Sequence, residues 1–335
     1  MSANKLEDIA WYVDPGARES GEPGVYHSYM ACLATALNYI EGDVDPAWLM
    51  GSSGFAFRVF MNEGMCPSAM SIFNWSSILP EAVEQAGYEC VYVTRLWDED
   101  DVEEERRGQA HVAIVEGIDR GAPAIVWDLA GVEWGLIVGY DERSATYATL
   151  TSEGSLSSLP YAKMGRNGID ILSVAIPGKP NGRTREDVVL SSLKVAVAHA
   201  EGWEWAERPK YQNGLAGLDL YATLYDRWTL LAVAGKTVNL PEDVLISAEY
   251  FAGHHYSARC YARDYLQSIA GGDETLLAAA SCYEEVADKL KPVWEEAHSR
   301  TMPDAERLGS LAHCIKDAKA AEAKGIDRVG KYLSS

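Results

Sequence analysis

The chain changes texture near its middle. Up to about residue 177, apolar and polar positions alternate over short runs rich in Val, Ile, Tyr, Thr and Trp, each bounded by Gly, Asp or Pro. Five such runs predict strands: ECVYVTRLW (89–97), APAIVWDL (122–129), EWGLIVGYDE (133–142), ATYATLT (145–151) and IDILSVAI (169–176). GYDERSATY reads as the hairpin turn between the third and fourth. Ahead of them, VYHSYMACLATALNYIEG (25–42) carries Met30, Leu33, Ala34, Leu37 and Ile40 at helical spacing, with Ser28, Cys32 and Tyr39 on the opposite face. From about residue 185 the period becomes helical, and amphipathic helices are expected at 185–202, 213–235, 241–268, 273–299 and 303–333. Gly271-Gly272, Pro292 and Pro303 mark stops or kinks. The Pro/Gly-rich connector IPGKPNGRTRED (176–187) reads as a linker. The expected architecture is an α+β domain over 1–177, with helices packed on an antiparallel sheet, followed by an all-α domain over 178–335. The helical part is expected to cover the sheet domain, to form a homodimer, or both.

Composition narrows the function classes. Fifty acidic against 29 basic side chains give a formal net charge of −21, a field that repels phosphate backbones and anionic membranes. Nucleic-acid and membrane partners are therefore not expected. No run of 18 apolar residues is long enough to span a bilayer. The N-terminal stretch MSANKLEDIAWYVD lacks the basic and apolar regions of a secretory signal, so a cytoplasmic location is expected. The six cysteines (32, 66, 90, 260, 282 and 314) form no C-x-x-C pair and read as reduced thiols, with no metal site or cofactor implied. The acidic run WDEDDVEEERR (97–107) reads as an exposed loop or helix start.

Chemistry concentrates at the start of the first helix. Ser28 and Cys32 lie one turn apart and face the same way. Ser28 is placed where free backbone N–H groups and the helix dipole favour developing negative charge. Cys32 has the stronger nucleophile but sits a turn deeper, whereas a reactive thiol needs a lowered pKa and some exposure. A serine cap followed by a buried cysteine is the plain structural alternative. His111, on a helix before the Pro123 strand, is a last candidate base, with a structural role as its plain alternative; His199 reads as structural, and His254-His255 as an exposed or capped helical pair. Glu295-x-x-His298 has the carboxylate–histidine spacing of bundle metal sites, in a single copy.

The stretch His27-Ser28-Tyr29-Met30-Ala31-Cys32, continuing LATALNYIEG, resembles the nucleophile helix of papain-like cysteine peptidases of the bacteriocin-processing type. It also resembles the N-terminal domain of the butirosin biosynthesis H acyltransferase. LMGSSGFAFRVF (49–60), Gly121-Ala122-Pro123-Ala124-Ile125-Val126 and EWGLIVGYDE follow in the family's order, and NGLAGLDLYATLYDRW (213–228) and ARCYARDYL (258–266) are similar to its helical partner domain. The resemblance implies a papain-like α+β domain. It places Ser28 at the nucleophilic cysteine position, Glu133 at the general-base histidine, Thr151 at the orienting aspartate and Glu22 at the oxyanion-assisting glutamine.

Three functions follow as expectations. The first is acyl transfer or amide processing, with Ser28 attacking and Glu133 as base, or Cys32 attacking with His27 assisting. The second is a catalytically degenerate protein that binds a small molecule, a peptide or an acyl-carrier-borne group. In that case Trp127 and Trp134, with Glu22 and Glu133, suit a cationic amine. The third and weakest is a metal site in the helices.

Overall fold

The computed structural model describes residues 2–13, 21–129, 131–154, 156–202, 210–234, 242–300 and 303–335. The chain divides into two compact units, Met1–Leu49 with Asn74–Arg183, and Met50–Phe73 with Thr184–Ser335. Residues 50–73, read as part of the sheet domain, belong to the helical unit, and the later crossing falls at Arg183.

The first unit is a mixed α+β structure. Its strands are β1 (Ala3–Lys5), β3 (Tyr88–Arg95), β4 (Ala124–Val126), β5 (Gly135–Asp141), β6 (Thr146–Leu150), β7 (Leu156–Pro160) and β8 (Leu172–Pro180). They form one sheet in the order β3-β8-β4-β5-β6-β7, with β1 added to β5, and each described pairing is antiparallel. All five expected strands are present. The last starts at Leu172 and runs to Pro180, through the first half of the expected linker, because β3 pairs with it as far as Tyr88↔Pro180. β1 and β7 were not expected: ANK is three residues long, and LSSLP lacks the apolar alternation that marks a strand.

Both faces of the sheet's centre are covered. Helix α4 (Glu103–Asp119) sets Ala110, Ile114 and Ile118 against Ala124 and Val126 of β4, Ile137 of β5, and Leu172, Val174 and Ile176 of β8. The intervening Ile125, Leu136, Val138 and Ala175 are equally buried. Hence the central strands read as continuous apolar runs. Helix α1 (Ser28–Glu41) packs against β4 and β5. It is not amphipathic as expected, since Tyr29 to Leu37 are buried all round. Part of the cover comes from α3 (Trp75–Gln85), where the Tyr29 hydroxyl donates to the Leu79 carbonyl at 2.7 Å. α1 ends at Gly42, whose φ of 75° suits only a residue without a Cβ penalty.

The second unit contains α5 (Arg185–Ala200), α6 (Gly214–Val233), α7 (Glu242–Ile269), α8 (Glu274–His298) and α9 (Ala305–Leu333). These match the five expected helices; the expected ends at 235 and 241 lie outside the described residues. Gly271 and Gly272 turn the chain between α7 and α8 with positive φ, whereas α8 continues through Pro292. Residues 50–73 join this unit through three groups. β2 (Phe60–Asn62) pairs with β9 (Tyr211–Asn213). Nε2 of the buried His199 imidazole lies 2.8 Å from the Val59 amide, 3.0 Å from the Val59 carbonyl and 3.2 Å from the Gly214 amide. Arg259, fully buried, donates to the Phe57 and Arg58 carbonyls and to both carboxylate oxygens of Glu322.

His255 is also fully buried in this unit, and burial, followed by the nearby Arg259 charge, lowers its pKa to about 3. Above pH ~6.5 the imidazole is neutral whether the chain is folded or not, so it contributes nothing to pH dependence there. Between pH 6.5 and 3 the unfolded chain binds the extra proton, and stability falls with pH. Between pH 7 and 4.5 this site should cost about 3 kcal/mol. Urea unfolding should show a smaller loss over that range in His255→Gln; equal losses in both proteins would refute it.

Candidate active site at the start of the first helix

Two elements of the first unit meet at Ser28, α1 and the turn between β4 and β5. The residue opens α1, with His27 as N-cap. His27 makes no side-chain capping bond, and the first intrahelical rung runs from the Ala31 amide to the His27 carbonyl. Ser28 is the first residue inside the helix, and its hydroxyl donates to Oε2 of Glu133, 105 residues further along. A hydroxyl on an ionised carboxylate is among the stronger neutral–charged pairs, worth about 1.5–3 kcal/mol. Both side chains are partly buried, so the pair is shielded from water without being sealed from it.

Cys32 lies on the same side of α1. Glu133 is the charged group acting on its thiol, and Cys32 is fully buried. Burial first, and the Glu133 charge second, push the thiol pKa well above its ordinary value. A nucleophilic cysteine needs the opposite, a lowered pKa and some exposure. His27 is itself buried at the N-cap. His111 is committed elsewhere: Nδ1 meets the Tyr147 hydroxyl at 2.7 Å and Nε2 meets Glu142 at 3.0 Å. Glu22 is half-buried in the segment leading to α1. Thr151 is buried one step beyond the Leu136↔Leu150 pair, which sets it across from Gly135.

Trp127 and Trp134, at the facing ends of β4 and β5, are joined by Trp75, the first residue of α3. The three indoles lie 5.1–5.2 Å apart, centre to centre, and Tyr29 meets Trp134 edge-on at 4.9 Å. A cation held within ~6 Å of several ring faces needs those faces to stand apart around it. Here the rings pack on one another, with Trp134 buried and Trp75 and Trp127 half-buried. Trp75 was not singled out by sequence; its place at the start of α3 is visible only once α3 is folded.

The turn from β4 to β5 aims Glu133, and its anchor was also missed. Asp128 is buried with φ of 63°, a conformation aspartate tolerates. Its carboxylate accepts from the amides of Gly168 (2.5 Å), Ile169 (2.8 Å) and Val132 (3.3 Å), and the Leu129 amide donates to the Glu133 carbonyl at 3.1 Å. Val132, next to Glu133, has φ of 71°, strained for a β-branched residue by about 1–3 kcal/mol. WDLAGVEW carries an Asp-x-x-Gly turn signal, but strand propensity over 122–129 obscured it.

Among the described residues, no group of three or more His, Cys, Asp or Glu side chains could hold a metal ion. In the helical unit His298 bonds Glu249 at 2.8 Å, and Glu295 faces Lys291, so the Glu295–His298 spacing does not form a shared site. The chain matches no protein-family model and no curated protein.

The thiols give a direct check. With an aromatic disulfide reagent at pH 8, exposed Cys66 should react fast in the native protein, and Cys32 and Cys260 only on unfolding. Rapid native reaction at Cys32 would restore it as a nucleophile.

Proposed function

We propose that this protein is an acyl-transfer or amide-processing enzyme of the papain-like, butirosin-H-like class, with Ser28 as nucleophile and Glu133 as general base. The observation that carries this reading is the hydrogen bond from the Ser28 hydroxyl, at the N-terminus of α1, to the Glu133 carboxylate. Nucleophile and base are in hydrogen-bond reach before any substrate binds. The order of elements, a nucleophile-bearing helix followed by an antiparallel sheet whose β4–β5 turn delivers the base, is consistent with the papain-like assignment.

The chemistry balances with these groups alone. Glu133 takes the hydroxyl proton as Ser28 Oγ bonds to the acyl carbon, and negative charge develops on the acyl oxygen. The positive end of α1 favours that charge. Collapse of the adduct breaks the bond to the leaving thiolate or amine, which takes the proton from Glu133. An acyl ester remains on Ser28, and an incoming amine or water completes the transfer with the same carboxylate as base. A carboxylate is a weaker base than imidazole, which suits an activated acyl donor such as a thioester better than an unactivated amide.

Binding without turnover would use the same cleft, and one experiment separates the two. After incubation with short-chain acyl thioesters, intact-mass analysis should show an acyl adduct on the unsubstituted protein and on Cys32→Ala. Ser28→Ala should show none, and Glu133→Gln should form adduct at least 100-fold more slowly. A bound thioester with no adduct in any variant would leave only the binding reading.

A further inference from the structure

We propose that Asp128 is a positioning residue of this site: its buried carboxylate fixes the turn that holds Glu133 against Ser28. This inference rests on the Ser28–Glu133 reading above and adds to it a chain of support starting on the far side of the sheet.

That chain begins at Arg95, the last residue of β3, whose side chain is buried. Its guanidinium donates to the Gly165 and Asp170 carbonyls, each at 2.8 Å, and so grips both ends of the loop 165–170. The middle of the loop turns its Gly168 and Ile169 amides onto one oxygen of Asp128. The Asn167 side chain adds a second grip, donating to the Asp128 carbonyl at 2.8 Å. The other Asp128 oxygen accepts from the Val132 amide, directly before Glu133. The two side chains at the centre of this path, Arg95 and Asp128, are buried and each holds backbone groups of the loop, so the path has little freedom to shift.

The arrangement needs a carboxylate. Asp128 faces three N–H donors and no cation, and an ionised acceptor with two oxygens meets all three. An amide at the same place would turn an NH2 group towards one of them. Space is tight as well: a Cβ at Gly168 would stand 3.3 Å from an Asp128 carboxylate oxygen. Val132 holds its strained φ only while its surroundings over-determine the turn, and Asp128 is the group that does so. Without that hold the turn relaxes and Glu133 leaves Ser28.

The test follows the rate at which a fluorophosphonate probe phosphonylates Ser28, read by intact mass, together with amide exchange over residues 129–134. Asp128→Asn should label at least tenfold more slowly and lose protection at the Leu129 and Val132 amides. Because Asp128 acts through Glu133, the double variant Asp128→Asn/Glu133→Gln should be no slower than Glu133→Gln alone. Labelling of Asp128→Asn within twofold of the unsubstituted protein, or a double variant slowed by the product of the two single effects, would overturn the proposal. If Asp128→Asn does not fold, Asn167→Ala and Gly168→Ala take its place, with the same directions and smaller effects. If the unsubstituted protein takes no label, the Ser28–Glu133 reading fails and exchange alone decides: lost protection over 129–134 sustains the role of Asp128, and unchanged protection refutes it.

Discussion

One hydrogen bond, from the Ser28 hydroxyl to the Glu133 carboxylate, sets what the first unit must do. It joins a helix start to a strand turn more than 100 residues away, so neither end can be placed by local structure. The helix end is fixed by burial: α1 is wrapped from Tyr29 to Leu37, and Tyr29 is tied to α3. The turn end is fixed by polar contacts instead, through Asp128, the loop 165–170 and Arg95. Trp134, the residue after Glu133, packs on Tyr29, the residue after Ser28, and on Trp75 and Trp127. A pair held this way keeps hydroxyl and carboxylate in register without bound substrate, as the proposed reaction requires.

The same carboxylate decides between the two nucleophiles. Glu133 accepts from Ser28 and, with burial, raises the Cys32 thiol pKa. A negative neighbour helps a hydroxyl lose its proton to it but makes a thiolate harder to form. On the reading proposed above, a glutamate at this place goes with a serine rather than a cysteine as nucleophile, because a thiolate beside Glu133 would be repelled.

Much of the architecture was legible because it is written in periodicity. The five helices beyond residue 185 and the five central strands follow directly from apolar spacing. The shorter strands escaped it, since β1 and β2 have three residues each and are defined by what they pair with. The grouping of residues 50–73 with the helices escaped it too, because it depends on Arg259 and His199, which lie 140 or more residues away in sequence. Around the Ser28–Glu133 pair, the order of motifs pointed to Ser28 and Glu133, and Trp127 and Trp134 were expected as aromatic lining. Asp128 and Trp75 were not: Asp128 sits inside what reads as a strand, and its function is to bond backbone amides, which leave no mark on composition. The amphipathic reading of α1 failed for a related reason, since small and apolar residues on every side allow burial all round.

The most direct measurement is the proton NMR spectrum downfield of the amide region at low temperature. A hydroxyl–carboxylate hydrogen bond partly shielded from water should give a resolved resonance there. The structure requires that this resonance persist in Cys32→Ala and vanish in both Ser28→Ala and Glu133→Gln. A spectrum with no such resonance, or one that survives Glu133→Gln, would contradict the pairing of Ser28 with Glu133.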